Sequence, residues 1–292
     1  MADITAIILT LNEEKNIEKC IRSIQPIVKR IVVVDSFSTD KTVEIAKSLG
    51  VEVLENKWVN YSTQFIYALE NANIDTTWVF RIDADERLTE KSAVELEKLT
   101  AEHETDDVNG IVVRFEVNFM GRRLRHGGIY PIKVLRVFKN GKAHIENRNM
   151  DEHMTVDEGK CVEMKNDCLH QDFKSLYAWI EKHNKYSDRE VLDYLNREET
   201  QSNKDLSKGA KFKRFVKFKI YYKLPMGMRA YLYYVYRYYF KLGFLDGKEG
   251  KIFAFLQAYW YRFLVDAKIY EKRLNEKKIE RGNDENDCNS LR

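Results

Sequence analysis

Carboxylate side chains follow two short apolar runs in the first hundred residues. Asp83 and Asp85 come directly after Trp78–Ile82, and Asp35 comes directly after Ile31–Val34. Two carboxylates spaced two residues apart at the end of a buried strand can place hard oxygen ligands on Mg²⁺ or Mn²⁺, and such an ion can bridge a diphosphate. A solvated turn is the alternative for an isolated D-x-D. The pattern predicts a divalent-metal site if these strand ends lie at one edge of a sheet.

Asp35 has a second interpretation, as the N-terminal cap of the next helix. Asp40 competes better for that role, because the segment from Lys41 onward is typical of a helix. We therefore expect Asp35 to face the ligand crevice.

A second acidic pair, Asp151-Glu152, lies in a stretch without helical or strand periodicity. A surface turn is the alternative there. His170 is one of six histidines, and a structural role is the alternative to a ligand role for it.

The elements that would position these residues alternate regularly. Amphipathic helical segments separate four short apolar runs, which are Ile4–Leu9, Ile31–Val34, Val51–Leu54 and Trp78–Ile82. This alternation predicts parallel βαβ units in an α/β fold with a mostly parallel sheet flanked by helices. In such sheets the ligand crevice lies beyond the carboxyl ends of the strands. The turns there contain no G-x-G-x-x-G or P-loop sequence, which excludes those two phosphate-binding modes.

The regular alternation of apolar runs and amphipathic helices ends at about residue 105. Predicted strands cover Gly110–Val117, Lys133–Phe138 and Cys161–Lys165, a basic loop covers Met120–Tyr130, and a helix covers Leu176–Leu195. We predict one domain over 1–203, divided into halves over about 1–105 and about 106–203. A helical arm would follow over 204–281, and a flexible tail over 282–292.

Composition restricts the cellular setting. The four cysteines form no C-x-x-C pair, which argues against zinc ribbons and disulfide scaffolds and fits a reducing cytoplasm. The sequence contains no run of 18 uncharged apolar residues, so we expect no transmembrane helix. The N-terminus does not resemble a signal peptide. The expected location is cytoplasmic.

The predicted arm differs in charge from the rest of the chain. Residues 204–281 carry 20 Lys and Arg against 7 Asp and Glu, whereas residues 1–203 carry 28 against 36. Lys208–Lys223 interleaves basic residues with aromatic ones, and Ala230–Leu242 contains six Tyr. This pattern is typical of interfacial helices on an anionic leaflet. A dimerisation or packing arm is the alternative, and nucleic-acid binding has no other support in the sequence.

Together, these segments resemble the family-2 inverting glycosyltransferases with a GT-A fold. The resemblance covers about residues 3–200 and rests on Ile7–Glu14, Ile31–Thr42 and Ile82–Glu86. Within that family the chain resembles the small bacterial branch that adds hexoses to lipopolysaccharide core, capsule or related surface glycans. The resemblance implies transfer from a UDP-sugar to a lipid-linked or lipopolysaccharide-type acceptor, on the inner face of the cytoplasmic membrane, with Mn²⁺ or Mg²⁺ as cofactor.

The resemblance implies that 1–203 is the catalytic domain, with its nucleotide-sugar half over about 1–105 and its acceptor half over about 106–203. It also implies residue roles. The nucleotide-sugar site would comprise Leu11, Asn12, Glu13, Asp35, Gln64, Asp83 and Ala84. Asp85 would ligate the metal, with Asp83 supporting the metal or contacting the ribose and His170 completing the shell. The general base would be Asp151 or Glu152.

Two other functions stay open from the residues alone. A sugar nucleotidylyltransferase shares the fold type, but it usually opens with a Gly-rich basic loop where this chain has Leu11–Glu14. A non-catalytic glycan-binding protein would not need the acidic residues together. The chain could also form a homodimer.

Overall fold

A computed structural model of the chain describes residues 1–145, 154–170, 175–199 and 224–290, and the side chains of 193, 195–199 and 277–290 are left out of the description. Contacts divide the chain into two compact units. Unit 1 comprises residues 1–125 and 129–172, and unit 2 comprises residues 126–128 and 173–292. The boundary predicted at residue 203 lies outside the described residues and stays a prediction.

Unit 1 is built on one eight-stranded sheet with the order β3-β2-β1-β4-β9-β6-β12-β5. Its strands are β1 Ala2–Thr10, β2 Val28–Asp35, β3 Glu52–Glu55, β4 Trp78–Asp83, β5 Glu86–Arg87, β6 Val108–Phe115, β7 Val117–Phe119, β8 Arg122–Leu124, β9 Ile132–Lys139, β10 Ala143–Ile145, β11 Met154–Val156 and β12 Lys160–His170. Its helices are α1 Ile17–Ile24, α2 Thr42–Ser48, α3 Tyr61–Asn71 and α4 Glu90–Glu102. Pairs β7–β8 and β10–β11 form two separate two-stranded sheets.

The sheet has a parallel half and a mixed half. Strands β1 to β4 are all parallel, whereas β9 is antiparallel to both of its neighbours, β4 and β6. Strand β12 runs parallel to β6 and antiparallel to β5. The predicted GT-A-type sheet, mostly parallel and flanked by helices, is confirmed.

Helices cover both faces of the sheet, which explains why its strands are apolar without alternation. On one face, Ile8, Val33 and Phe80 pack with buried residues of α1, among them Ile17 and Ile21. On the other face, Ile7, Val34 and Val79 pack against Phe65 and Ala68 of α3. Helix α4 starts at a capping box between Thr89 and Ser92.

The predicted loop Met120–Tyr130 is wrong in part, because β8 lies within it. Strands β7 and β8 form a hairpin around Met120 and Gly121, whose φ angles are 51° and 78°. Two positive φ angles characterise the tight turn that suits a twisted hairpin. The usual residue at the first position is Asn, Asp or Gly, so methionine gave no turn signal.

Unit 2 is helical. Its elements are α5 Leu176–Glu199, α6 Met228–Val235, a π-helical turn Tyr236–Phe240, a 3₁₀ turn Gly243–Asp246, α7 Gly247–Ala254, a second π-helical segment Phe255–Trp260 and α8 Tyr261–Ser290. Helices α5 and α8 pack through Val191, Tyr261, Val265 and Ile269. The predicted helical C-terminal extension is confirmed. In the described ranges no helix is long and apolar enough to span a bilayer.

Candidate functional site

The first part of the site is the rim formed by the loops after β1 and β2, residues 11–16 and 36–42. Asp35, the last residue of β2, is fully buried, and its carboxylate accepts hydrogen bonds from the hydroxyl of Thr10 at 2.8 Å and of Ser38 at 2.6 Å. Its second oxygen accepts the Ser38 N–H at 2.7 Å. The structure thus ties Asp35 to the rim itself, and its predicted contact with the nucleotide stays a prediction.

Side chains join the two loops of the rim directly. The Asn12 N–H donates to the Ser38 hydroxyl at 2.8 Å, and the Asn12 side-chain oxygen accepts the Thr39 N–H at 2.8 Å. The Glu13 N–H donates to the Thr42 hydroxyl at 2.7 Å. Because Leu11 and Asn12 are exposed on this rim, they are open to a ligand.

Asp40 is not the N-cap of α2 as predicted, because that position is Lys41, which has no side-chain cap hydrogen bond; Asp40 lies one residue earlier. Burial raises the pKa of Asp40, but hydrogen bonds to its carboxylate outweigh this and lower it. They come from the Thr42 hydroxyl, from the Thr42 N–H at 3.0 Å and from the Glu14 N–H at 3.1 Å.

Two other residues predicted for the nucleotide site are buried. Gln64 of α3 is inaccessible, and its amide bonds to Ser36 at 3.0 Å and to the Asn56 side chain at 2.9 Å. Ala84 is 3% exposed and packs in the core. The side chains of both support the loops in this structure, and a contact with nucleotide stays a prediction for each.

The second part of the site is the turn between β4 and β5, residues Asp83–Glu86. The Asp83 N–H donates to the Glu86 carboxylate at 3.1 Å, which closes the turn. Strand β5 then pairs with β12, with Glu86 opposite His170. This pairing brings His170 Nε2 to 3.4 Å from the Asp85 carboxylate. Two predicted metal ligands that are distant in sequence therefore lie side by side.

Asp83 is placed differently from Asp85. One of its oxygens accepts a short hydrogen bond from the Tyr61 hydroxyl, and the other lies 2.6 Å from Arg136 Nη2. Burial opposes ionisation of Asp83, but the guanidinium groups of Arg136 and Arg81 outweigh it and lower its pKa to about 2. The Asp83 carboxylate is therefore charged and already engaged by the protein.

Glu86, which sequence analysis did not single out as a site residue, is 3% exposed. It makes a short ion pair with Arg136. Burial raises the pKa of Glu86 to about 7, with the nearby Asp83 charge acting in the same direction. Sequence offered no signal for Arg136, because an arginine in an apolar strand pattern is ordinarily a surface residue.

The donor set at the turn fits a divalent cation. Asp85 offers a hard carboxylate oxygen, which Mn²⁺ and Mg²⁺ both accept, and His170 offers an imidazole nitrogen, a ligand that suits a transition metal such as Mn²⁺ better than Mg²⁺. Among the described residues there is no group of three or more His, Cys, Asp or Glu side chains able to hold a metal ion. Such an ion would take its remaining ligands from a diphosphate or water. Asp151 and Glu152, the predicted base candidates, lie outside the described residues.

The sheet and the site define an α/β protein with an acidic, histidine-containing site at the carboxyl edge of its parallel strands. Residues 5–162 match the sequence model of the family described as Glycosyl transferase family 2. The chain belongs to this family and is a glycosyltransferase, as predicted.

Relatives match along most of the chain. It is 29% identical over 289 residues to an uncharacterized glycosyltransferase of Rickettsia typhi, covering 96% of this chain and 90% of the relative. It is 28% identical over 284 residues to the lipopolysaccharide core biosynthesis glycosyltransferase LpsC of Rhizobium meliloti, covering 92% of each. These full-length matches do not support the nucleotidylyltransferase or the non-catalytic alternative.

A solved structure shows a partial likeness. Glucosyl-3-phosphoglycerate synthase from Mycobacterium tuberculosis, in complex with Mn²⁺, UDP and glucosyl-3-phosphoglycerate, is 25% identical with a TM-score of 0.32. The match covers 37% of this chain and 42% of that chain.

Proposed function

We propose that this glycosyltransferase transfers a hexose or N-acetylhexosamine, with inversion, from a UDP-sugar to a lipid-linked or lipopolysaccharide-type acceptor. The observation that carries the proposal is Asp85 beside His170 at the carboxyl edge of the parallel sheet. The full-length similarity to LpsC, named for lipopolysaccharide core biosynthesis, supports the acceptor class.

Asp85 and His170 would hold Mn²⁺ or Mg²⁺. When bound, the cation neutralises negative charge on the diphosphate leaving group. The chain itself would hold the donor at the rim formed by Leu11, Asn12 and Glu13. Asp83, fixed in its ionised form, would accept hydrogen bonds from the ribose or support the metal site.

A panel of UDP-hexoses and UDP-N-acetylhexosamines, assayed for UDP release with and without Mn²⁺, tests this function. We expect one donor to be hydrolysed slowly without acceptor and only with divalent metal. Equal turnover after exhaustive chelation would contradict metal dependence. Absence of UDP release from every donor, with and without a lipopolysaccharide-core acceptor, would contradict the donor class.

Inversion requires a base opposite the leaving group. The base takes the proton of the acceptor hydroxyl while the new bond forms at the anomeric carbon and the bond to UDP breaks. We propose Asp151 or Glu152 for this role, with a preference for Asp151. Replacing the base by its amide should lower kcat at least about 10²-fold with nearly unchanged donor affinity. If both Asp151→Asn and Glu152→Gln turn over normally, the base lies elsewhere.

We also propose that the C-terminal arm binds an anionic membrane surface in the cytoplasm. From residue 225 to residue 255 every exposed side chain is apolar, aromatic or lysine, and neither acidic residue of this stretch is exposed. Phe240 and Leu245 are 76% and 51% exposed, and Lys241 and Lys248 are exposed beside them. Exposed aromatic and basic side chains of this kind suit the headgroup region.

Co-sedimentation with liposomes tests this surface. The protein should bind vesicles containing anionic lipid, detach in high salt, and ignore neutral vesicles. Replacing both Phe240 and Leu245 by Ser should weaken binding, whereas Leu192→Ser, an exposed leucine of α5, should not. Lys211, Lys213, Arg214 and Lys217, which could add to binding, lie outside the described residues. Equal behaviour with both vesicle types would instead favour a dimerisation arm.

A further inference from the structure

Arg136 contacts both ends of the turn formed by Asp83–Glu86. It lies on β9 and is 6% exposed. Its Nη2 alone donates to two carboxylates, that of Asp83 at 2.6 Å and that of Glu86 over a shorter distance. These partners are 53 and 50 residues away in sequence, so the contact depends on β9 pairing antiparallel to β4.

The other two nitrogen atoms of this guanidinium lack hydrogen-bond partners among the described residues. These atoms, Arg136 Nε and Nη1, are both buried. Burying charged N–H groups without partners costs free energy, and buried ion pairs often contribute no more than apolar side chains of similar size. The ion pair is therefore a poor way to gain stability, which points to a different reason for an arginine here.

That reason is visible in the geometry of the turn. Glu86 accepts the Asp83 N–H with one oxygen and pairs with Arg136 through the other. Arg136 engages the carboxylates at both ends of the turn, those of Asp83 and Glu86. Asp85 is therefore the carboxylate of the turn that is left to face His170, at 3.4 Å. An unpaired Asp83 could rotate toward the same place and compete for it.

We infer that Arg136 is the positioning residue of this turn: by holding Asp83 and Glu86 on one nitrogen, it fixes Asp85 beside His170. The inference rests on the proposed metal-dependent function and adds a residue to it. Arg136 acts through the two carboxylates to which it donates hydrogen bonds.

Direct binding tests the inference without turnover. Calorimetry would measure the affinity for UDP in the presence of Mn²⁺, and electron paramagnetic resonance would count bound Mn²⁺. We expect Arg136→Met to weaken metal-dependent UDP binding by about 10- to 100-fold, the range seen when residues that orient metal ligands are removed. Arg136→Lys, which keeps a cation between the carboxylates, should recover part of this loss.

Folding is separated from positioning by a second variant and a matched control. Arg136→Met combined with Glu86→Gln removes the more deeply buried of the two acidic partners, and Asp83 keeps the Tyr61 hydroxyl and the nearby Arg81 charge. This double variant should therefore fold with a near-normal unfolding midpoint and still bind weakly. Arg114→Met is the control, because Arg114 on β6 pairs with Asp167 at 3.2 Å instead of with the turn. It should leave Mn²⁺-dependent UDP binding unchanged.

The outcomes distinguish this inference from the proposed function. If the folded double variant binds UDP and Mn²⁺ as tightly as the wild type while Asp85→Ala does not, Arg136 has no positioning role and the proposed metal site stands. If Asp85→Ala also binds normally, the proposed metal site is wrong, and the inference is overturned with it. A loss of affinity in Arg114→Met equal to that of Arg136→Met would make the effect general and would also overturn the inference.

Discussion

The rim after β1 and β2 and the turn between β4 and β5 lie at the same edge of the sheet but are held together differently. In the rim, hydroxyl groups and backbone N–H groups bridge the two loops, as between Asn12 and Ser38. Its one buried carboxylate, Asp35, is satisfied by neutral donors. In the turn, two carboxylates share one guanidinium, and Asp83 also pairs with the hydroxyl of Tyr61.

The contacts in the rim set the shape of the site, whereas the contacts in the turn set the distribution of its charges. The donors in the rim are neutral N–H and hydroxyl groups, even where the acceptor is a carboxylate such as Asp40, so they fix the outline of the rim without cancelling a charge. The turn instead sets which carboxylates are engaged and which one is available, because Arg136 forms ion pairs with Asp83 and Glu86 and, among the described residues, none with Asp85. We therefore expect changes in the turn to affect metal and catalysis, and changes in the rim to affect stability and donor affinity.

The largest effect should come from Asp85→Ala. Removing the available carboxylate should abolish metal-dependent UDP binding and lower kcat/KM at least about 10²-fold, the cost of losing one group that stabilises charge in a transition state. The unfolding midpoint should barely change, because Asp85 is not part of the buried core. Isothermal titration of UDP with Mn²⁺ checks the first point, and unchanged affinity would contradict the assignment of Asp85.

His170→Ala should have the next largest effect. Loss of one of the two proposed protein ligands should raise the Mn²⁺ concentration needed for half-maximal activity by at least about 10- to 100-fold, the cost of losing a residue that only orients a metal ligand, while saturating Mn²⁺ restores part of kcat. His144→Ala is a matched control, since His144 is an exposed histidine on β10 that pairs with Asp157. An equal metal requirement in both variants would remove His170 from the site.

The sequence located both the rim and the turn, but it did not predict the contacts that make them different. Apolar runs located β1, β2 and β4, and the residues that end them followed directly, because a parallel sheet places its strand ends at one edge. Asp83 and Asp85 could be found in this way. Their different roles could not, because these depend on Arg136 of β9 and on the β5–β12 pairing, contacts between segments that no local pattern connects.

One other miss has the same kind of cause. Strand β8 falls within a predicted loop, because the turn of the β7–β8 hairpin starts with methionine, a residue that rarely adopts positive φ. Gln64 is placed in the nucleotide site by resemblance, and that placement stays a prediction; the structure adds that its buried amide is engaged by Ser36 and Asn56. Burial of that amide follows from the packing of α3 on the sheet, which an amino-acid pattern does not specify.

Ser38→Ala tests whether a change in the rim alters stability without altering the metal requirement. The variant removes the hydroxyl that donates to Asp35 and accepts from the Asn12 N–H. It leaves a buried carboxylate with one donor fewer, so the free energy of unfolding should fall by about 1–3 kcal/mol. Urea unfolding measures this change. The Mn²⁺ requirement should stay at the wild-type value, and a shift of it as large as that in His170→Ala would show that the two regions are not independent.

The smallest expected effect is at Asn12, where two variants separate the contribution of the backbone conformation to stability from that of the side chain. Its φ of 57° lies in the left-handed region, which asparagine tolerates better than alanine and glycine adopts freely. Asn12→Gly and Asn12→Ala both lose the acceptor of the Thr39 N–H, so the difference between them reports the backbone alone. We expect Asn12→Ala to be less stable than Asn12→Gly by about 1 kcal/mol in urea unfolding. Equal stabilities would mean that the loop relaxes out of this conformation, and the rim would then be less rigid than its hydrogen bonds indicate. If Asn12 also lines the nucleoside pocket, both variants should raise the donor KM by the same factor, because the side chain is missing from both.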